Sequence, residues 1–270
     1  MTERQRLNFL DLPAEIRVSI LEYVFDANLQ GDGFRNRAGS GGIVLDEDYT
    51  AAANMAPLLT CRHFYYDASC AAIARTPFVI RDTFTDVARQ LASLHPKQVE
   101  SIRSIAFLAG LRQFQKMQQW GSHPFGMPSL RLQSLAIVFH RSSYWHYPSD
   151  HNHEIVKLLR NLEGVEKIIF VRNGANIKGH FKTWYNRLIG FIMKEDHHRR
   201  YNCKPPVMEK VWWSWSYDDA AEAFYLEAKP AKPVMEEEKY MEMMKPLVLE
   251  LTQRMENEEW DPDPRARNGF

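Results

Sequence analysis

The chain lacks a surplus of charge. Its 34 Lys+Arg balance 34 Asp+Glu, so the formal net charge is zero. That balance gives no whole-protein attraction for nucleic acid or for an anionic membrane surface, and neither is expected as a partner. Long apolar runs are missing too: no stretch approaches the roughly 20 residues that a membrane-crossing helix needs. The opening MTERQRLNFL has no long apolar core behind its charges, so it does not read as a secretory signal. Cysteine is scarce. Cys61, Cys70 and Cys203 are odd in number and scattered, which predicts reduced thiols in a cytoplasmic or nuclear protein. Catalytic signatures are also absent. There is no GxSxG, HExxH or GxGxxG and no paired-carboxylate motif. No enzymatic activity and no cofactor are therefore expected. What remains is ordinary globular composition, 45% hydrophobic and 25% charged over 270 residues. That is enough for one or two domains with a substantial core.

The most ordered pattern lies near the N-terminus, in FLDLPAEIRVSILEYVF, residues 9–25. Pro13 stands where a helix can begin, because its missing N–H would be unpaired there anyway. Glu15 falls in the first turn, where the helix dipole favours negative charge. Ile16, Ile20 and Val24 follow at i, i+4 and i+8, with Leu21 and Phe25 beside them, as one wide apolar stripe. A second stretch, Pro57 to Ala68, carries Leu58, Cys61, Tyr65 and Ala68 at helical spacing, with Phe64 alongside. Together the two stretches resemble the F-box. The closer likeness is to the F-box-like domains of uncharacterised ascomycete fungal proteins with an LPxEIR…LLxCRxxY pattern. The resemblance covers residues 7–76. It implies a helical module that docks to a Skp-type adaptor of a cullin ubiquitin ligase, while the rest of the chain presents an unknown target protein. It assigns adaptor contact to Leu12, Pro13, Ile16, Ile20 and Leu21 on the first helix and to Leu59, Cys61 and Phe64 on the second. Thr60 stands where the family usually has valine. Residues 26–55 also separate the two stretches, where the family has a short connection. A self-contained structural module that binds no adaptor is the competing reading.

The glycine-rich residues 26–42 predict a flexible loop. No Gly-Lys-Ser/Thr follows, so it is not a phosphate loop. Residues 43–46 and 76–80 read as short strands. Residues 51–74 read mainly as helix, broken or restarted at Pro57. Phe84, Val87, Leu91 and Leu94 predict one amphipathic helix. Beyond it a weak repeat emerges: Ile102-x-x-Ile105-x-Phe107, Leu132-x-x-Leu135-x-Ile137, Val165-x-x-Ile168-x-Phe170 and Met208-x-x-Val211-x-Trp213. The last positions of each alternate as a strand should. Helical patterns at 155–162 and 181–192 lie between them, so crossovers and a mainly parallel sheet follow. The expected fold class is α/β: an N-terminal helical F-box-like unit, then an irregular β–α array similar to a degenerate leucine-rich repeat. A small layered α/β domain with no true repeat is the alternative. Only Asn173 occupies the asparagine position of that repeat, which argues against a regular horseshoe. Boundaries are placed at 1–80, 81–258 and a disordered tail at 259–270.

Residues 210–228 suggest a hairpin turning at Asp218-Asp219, with Trp213, Trp215 and Tyr217 on one face and Trp212 on the other, free for an exposed contact. Pro246 is expected to start a second helix within residues 236–255. The tract His140–His153 has four histidines and Asp150. They can ligate zinc, yet the spacing is irregular and a strand-to-helix loop capped by Asp150 or Asn152 explains the tract as well. No metal site is assigned, and a ligand- or metal-binding protein built on this loop is the third functional reading. The basic run His197–Arg200 reads as a solvated helix end. Cys61 reads as an inert core thiol.

Overall fold

A computed structural model describes residues 8–37, 39, 41–141, 151–175 and 181–260. The chain is mixed α/β. In order it forms α1 (Ala14–Ala27), β1 (Phe34–Asn36), β2 (Ile43–Leu45), α2 (Ala51–Asn54), α3 (Arg62–Arg75), β3 (Phe78–Ile80), α4 (Val87–Ala92), α5 (Pro96–Ser101) and β4 (Ser104–Ala109). Then come α6 (Leu111–Met117), β5 (Leu132–Phe139), α7 (Asn152–Asn161), β6 (Val165–Val171), α8 (Phe181–His197), β7 (Val211–Asp218), β8 (Ala223–Pro230) and α9 (Glu237–Trp260). Short 3-10 turns occupy Phe9–Asp11, Ala56–Leu59 and Pro124–Gly126.

A six-stranded sheet in the order β3-β4-β5-β6-β8-β7 organises the molecule. Its first four strands are parallel, and β8 and β7 run antiparallel to their neighbours. Alternation along each strand sends one set of side chains to each face. Ile105, Phe107, Leu135, Ile137, Ile168 and Phe170 join the core built with the helices that follow β3. Ala106, Ala136, Val138 and Val171 point the other way and pack against Leu45, Phe34 and Ile43 of the β1–β2 hairpin.

The repeat spacing has a direct structural meaning for three of its four units. Ile105 pairs with Leu135 and Leu135 with Ile168, and Phe107, Ile137 and Phe170 line up likewise. Equivalent motif positions thus lie side by side across the parallel strands. The fourth unit departs from this. β8 takes the place beside β6, and β7 pairs with β8 alone. The tight turn after Asp218 makes hairpin pairing local, so it wins over a fourth crossover. Asn173, at 3% exposure, does fill a ladder-like role once. In a left-handed conformation, φ 55°, it donates from Nδ2 to the Phe139 carbonyl and accepts from the Leu45 amide, both at 3.0 Å. It ties the hairpin to the ends of β5 and β6.

The glycine-rich segment is therefore not a free loop along its described length. Gly33 lets the chain pass under Val79 and Tyr49 at φ 88°, where a Cβ would lie 2.4 Å from Val79. Tyr49 is buried and its hydroxyl donates to the Pro77 carbonyl at 2.5 Å. Burial pushes that phenol up to about 12. The amides of Gly42 and Ile43 donate to the carbonyls of Ala220 and Ala221 in the β7–β8 turn. The hairpin thus covers the sheet's second face. β3, placed by the sequence with the first unit, is an edge strand of the same sheet. The boundary at residue 80 falls at the end of that strand.

Several other expectations are corrected. α4 starts only at Val87, and Phe84 is an exposed residue lying 5.7 Å beneath the Arg112 guanidinium. α9 runs through Pro246 without restarting. Pro246 and Glu242 are both exposed, so water can satisfy the carbonyl that a proline four residues on leaves unbonded. Of the expected tail, residues 259 and 260 end α9, and 261–270 lie outside the described residues. Trp212 is half-buried, with the Lys232 ammonium 2.9 Å from its ring centre, so it offers no exposed contact. Trp213 is a core residue, donating from Nε1 to the Leu159 carbonyl at 2.8 Å.

The basic run is also not simply a solvated helix end. Arg200 is 3% exposed and belongs to a buried ionic hub. Asp196 Oδ1 accepts from Arg160 at 2.8 Å and from Arg200 at 3.1 Å. Its Oδ2 accepts from Lys232 at 2.7 Å and from the Tyr240 hydroxyl at 2.8 Å. Glu209 accepts from Arg200 at 2.5 Å. Burial alone would raise the Asp196 carboxyl. The hydrogen bonds it accepts and the nearby Lys232 charge outweigh that and hold it well below the carboxylate range. For Lys232 the balance falls the other way, and burial lowers its ammonium despite Asp196 and Glu209. The hub joins α7, α8, the segment before β7, the linker after β8 and the start of α9.

Candidate docking surface at the N-terminal helix pair

α1 and α3 are each 14 residues long, about 21 Å. They run in the same direction: Arg17 meets Asp67 near their starts and Arg75 meets Asp26 near their ends. A parallel pair needs a return path as long as the helices. The segment with the β1–β2 hairpin supplies it, which gives the long insertion a physical reason. Leu21, Phe25, Leu58, Ala68 and Ala72 fill the seam. Burying Leu21 and Phe25 contributes about 1.5–3 kcal/mol each. At the open end Phe9 packs on Phe64, ring centres 5.0 Å apart.

Arg17 organises that end. Its Nε donates to Asp67 Oδ2 at 2.7 Å, and its Nη1 donates to the Leu12 carbonyl at 2.7 Å and to Leu10 at 3.3 Å. The Leu12-Pro13 turn is thereby fixed to both helices. The Arg17 hydrogen bond holds the Asp67 carboxyl below the usual range, and Asp67 raises Arg17 in return. A charged side chain thus lies on the inner face of α1, because its partner is there.

This placement splits the apolar stripe read from the sequence. Leu21 is 1% exposed and belongs to the seam, so among the eight assigned contact residues it cannot meet a partner in this arrangement. Ile16 and Ile20 lie on the opposite face, 49% and 39% exposed. Pro13 is exposed and Leu12 half-buried. Leu59, on the turn before α3, is 86% exposed. Cys61 and Phe64 are half-buried; Cys61 is a free thiol at the N-cap position of α3, ahead of the helix rather than on it. Leu10, Tyr23 and Tyr66 are exposed as well, and reading the sequence did not single them out. Tyr23 was legible at i+7 from Ile16; Leu10 was hidden in the turn. The arrangement offers apolar surface and hydrogen-bonded rigidity.

The histidine tract lies largely outside the described residues. Of it, His151 stacks on Phe114 with ring centres 5.9 Å apart and takes the N-cap position of α7. Asn152, an expected cap, is the first helical residue, and Asp150 is not among the described residues. Among the described residues no group of three or more His, Cys, Asp and Glu is placed to hold a metal ion, and no helix is long and apolar enough to cross a membrane. Comparison with family models, curated proteins and solved structures gave no match to the chain.

Proposed function

We propose that the protein is a non-enzymatic interaction module whose N-terminal helix pair docks to another protein, the fitting partner being a Skp-type adaptor of a cullin ubiquitin ligase. One observation carries the reading. The outer face of α1 and the turn before α3 keep Ile16, Ile20 and Leu59 exposed, while the same helices have filled their shared seam with other residues. Contiguous exposed apolar surface is a feature of interaction sites, and Ile16 and Ile20 are neighbours one turn apart on α1. The mode is a helical surface entering an apolar groove, driven by buried area. The sheet region behind it then serves as the platform for a target.

The test is a pull-down of the full chain with purified adaptor. The Leu12→Ala/Pro13→Ala double variant and the Ile16→Glu variant both lose the adaptor, while their melting curves stay cooperative. Retained binding in both, or no binding by the parent chain, rejects the reading. The self-contained structural reading draws on the hairpin covering the sheet, which welds the helix pair to the body, and it predicts no adaptor binding at all.

A further inference from the structure

A second apolar surface lies far from the first in strand order. α3 leads into the edge strand β3, whereas α8 packs beneath β6, β8 and β7: Trp184 meets Phe170, and Tyr185 meets Phe224 and Tyr217. Between α8 and α9 runs a groove of about 600 Å3. Met193 and Met244 line its floor, Lys194 and His197 its α8 bank, and Met241 and Val248 its α9 bank.

α9 explains why the groove is open. Tyr240 and Met244 are its only fully buried side chains among those described. Leu247 and Leu251 continue that inner row, half-buried. Beside it a second row recurs every seven residues: Met241, Val248 and Met255, at 51%, 43% and 40% exposure. Seven-residue spacing is the seam along which helices pack in pairs. One row of the seam is spent on α8, and the other faces solvent.

We infer that this groove is a homodimer interface, filled by α9 of a second copy laid antiparallel about Val248. The row is its own complement in that register. Met241 meets Met255 of the second copy, Val248 meets its own counterpart, and the twofold axis repeats each contact. The charges agree. Lys194 on the α8 bank is exposed, with no ion pair among the described residues, and His197 beside it is bonded to Glu237 at 2.8 Å. α9 carries exposed Glu238, Glu242 and Glu256 without ion pairs among the described residues; Glu242 lines the groove, together with one exposed cation, Lys245. Glu256 lies as far after Val248 as Tyr240 lies before it, and Tyr240 packs against His197. The second copy's Glu256 therefore falls at the level of the bank that carries the unpaired Lys194, and the twofold axis repeats the contact. With the groove at the β7 side of the sheet and the helix pair at the β3 side, a dimer keeps both N-terminal surfaces free.

Sedimentation equilibrium on the full chain tests this. The parent chain is expected as a dimer at about 100 μM, and Val248→Glu weakens association by at least tenfold. Met241→Lys does the same by an independent change. Both sites are exposed, so circular dichroism melts stay at the parent value apart from the loss of dimer. A monomeric parent at that concentration, or a dimer indifferent to both substitutions, overturns the inference.

Discussion

The two ends of the sheet are finished by helices attached in opposite ways. At the β3 end, α1 is clasped to α3 by a half-buried ion pair, Arg17–Asp67, at the rim of a small apolar seam. At the β7 end, α9 is anchored through Tyr240 to a hub in which Asp196, Arg200 and Glu209 are nearly sealed from solvent. A pair that keeps some access to water is partly replaceable by it and partly screened by salt. A buried hub is fragile to the loss of one member, because the others remain as uncompensated buried charge. The N-terminal clasp therefore depends mainly on its seam and the C-terminal one mainly on its polar geometry.

The strongest way to break that comparison is at Asp196. Asp196→Ala strands Arg160, Arg200 and Lys232 and is expected to destabilise the fold by about 3–5 kcal/mol in urea unfolding. A loss under about 1 kcal/mol would show that the hub does not hold this end. The same carboxylate sets a pH dependence. Its folded pKa is depressed, so its contribution is complete above the unfolded carboxylate range and is lost as pH falls through the folded value. Asp196→Asn should therefore flatten the acid side of the stability profile, read by melts between about pH 5 and pH 2.

Next in size is the split between the two faces of α1. Leu21→Ala empties part of the seam and is expected to cost about 3 kcal/mol, whereas Ile16→Ala costs under about 0.5 kcal/mol. Equal losses in urea titrations would erase the distinction between inner and outer faces. Arg17→Ala falls between the two. It lowers the melting temperature less than Leu21→Ala and more than Ile16→Ala, and the drop shrinks in high salt, where the effect of Asp196→Ala persists. A salt-independent Arg17 effect would place that clasp among the buried ones.

Much of the sheet was legible in the sequence. The spacing of Ile105, Leu135 and Ile168 anticipated strands that pair in register, and the 210–228 hairpin was readable from alternating tryptophans. Apolar periodicity fails where polar residues are inside. Arg17 faces inward to Asp67, which rotated the expected stripe and turned Leu21 from a contact residue into a seam residue. Arg200 looked like a solvent-facing cation because, beyond Asp196 one helical turn before it, the groups that seal it, Glu209 and the Lys232 carbonyl, come close only in the fold. The glycine-rich segment misled for a related reason. Gly33 relieves a close approach to Val79 rather than conferring freedom, and local composition does not distinguish the two.

The most direct measurement is amide hydrogen exchange on the full chain with and without the purified Skp-type adaptor. Docking by the outer face predicts added protection in peptides covering residues 12–20 and 57–66, with α9 unchanged. Protection elsewhere with these two segments unaffected, or no change anywhere at saturating adaptor, would contradict it.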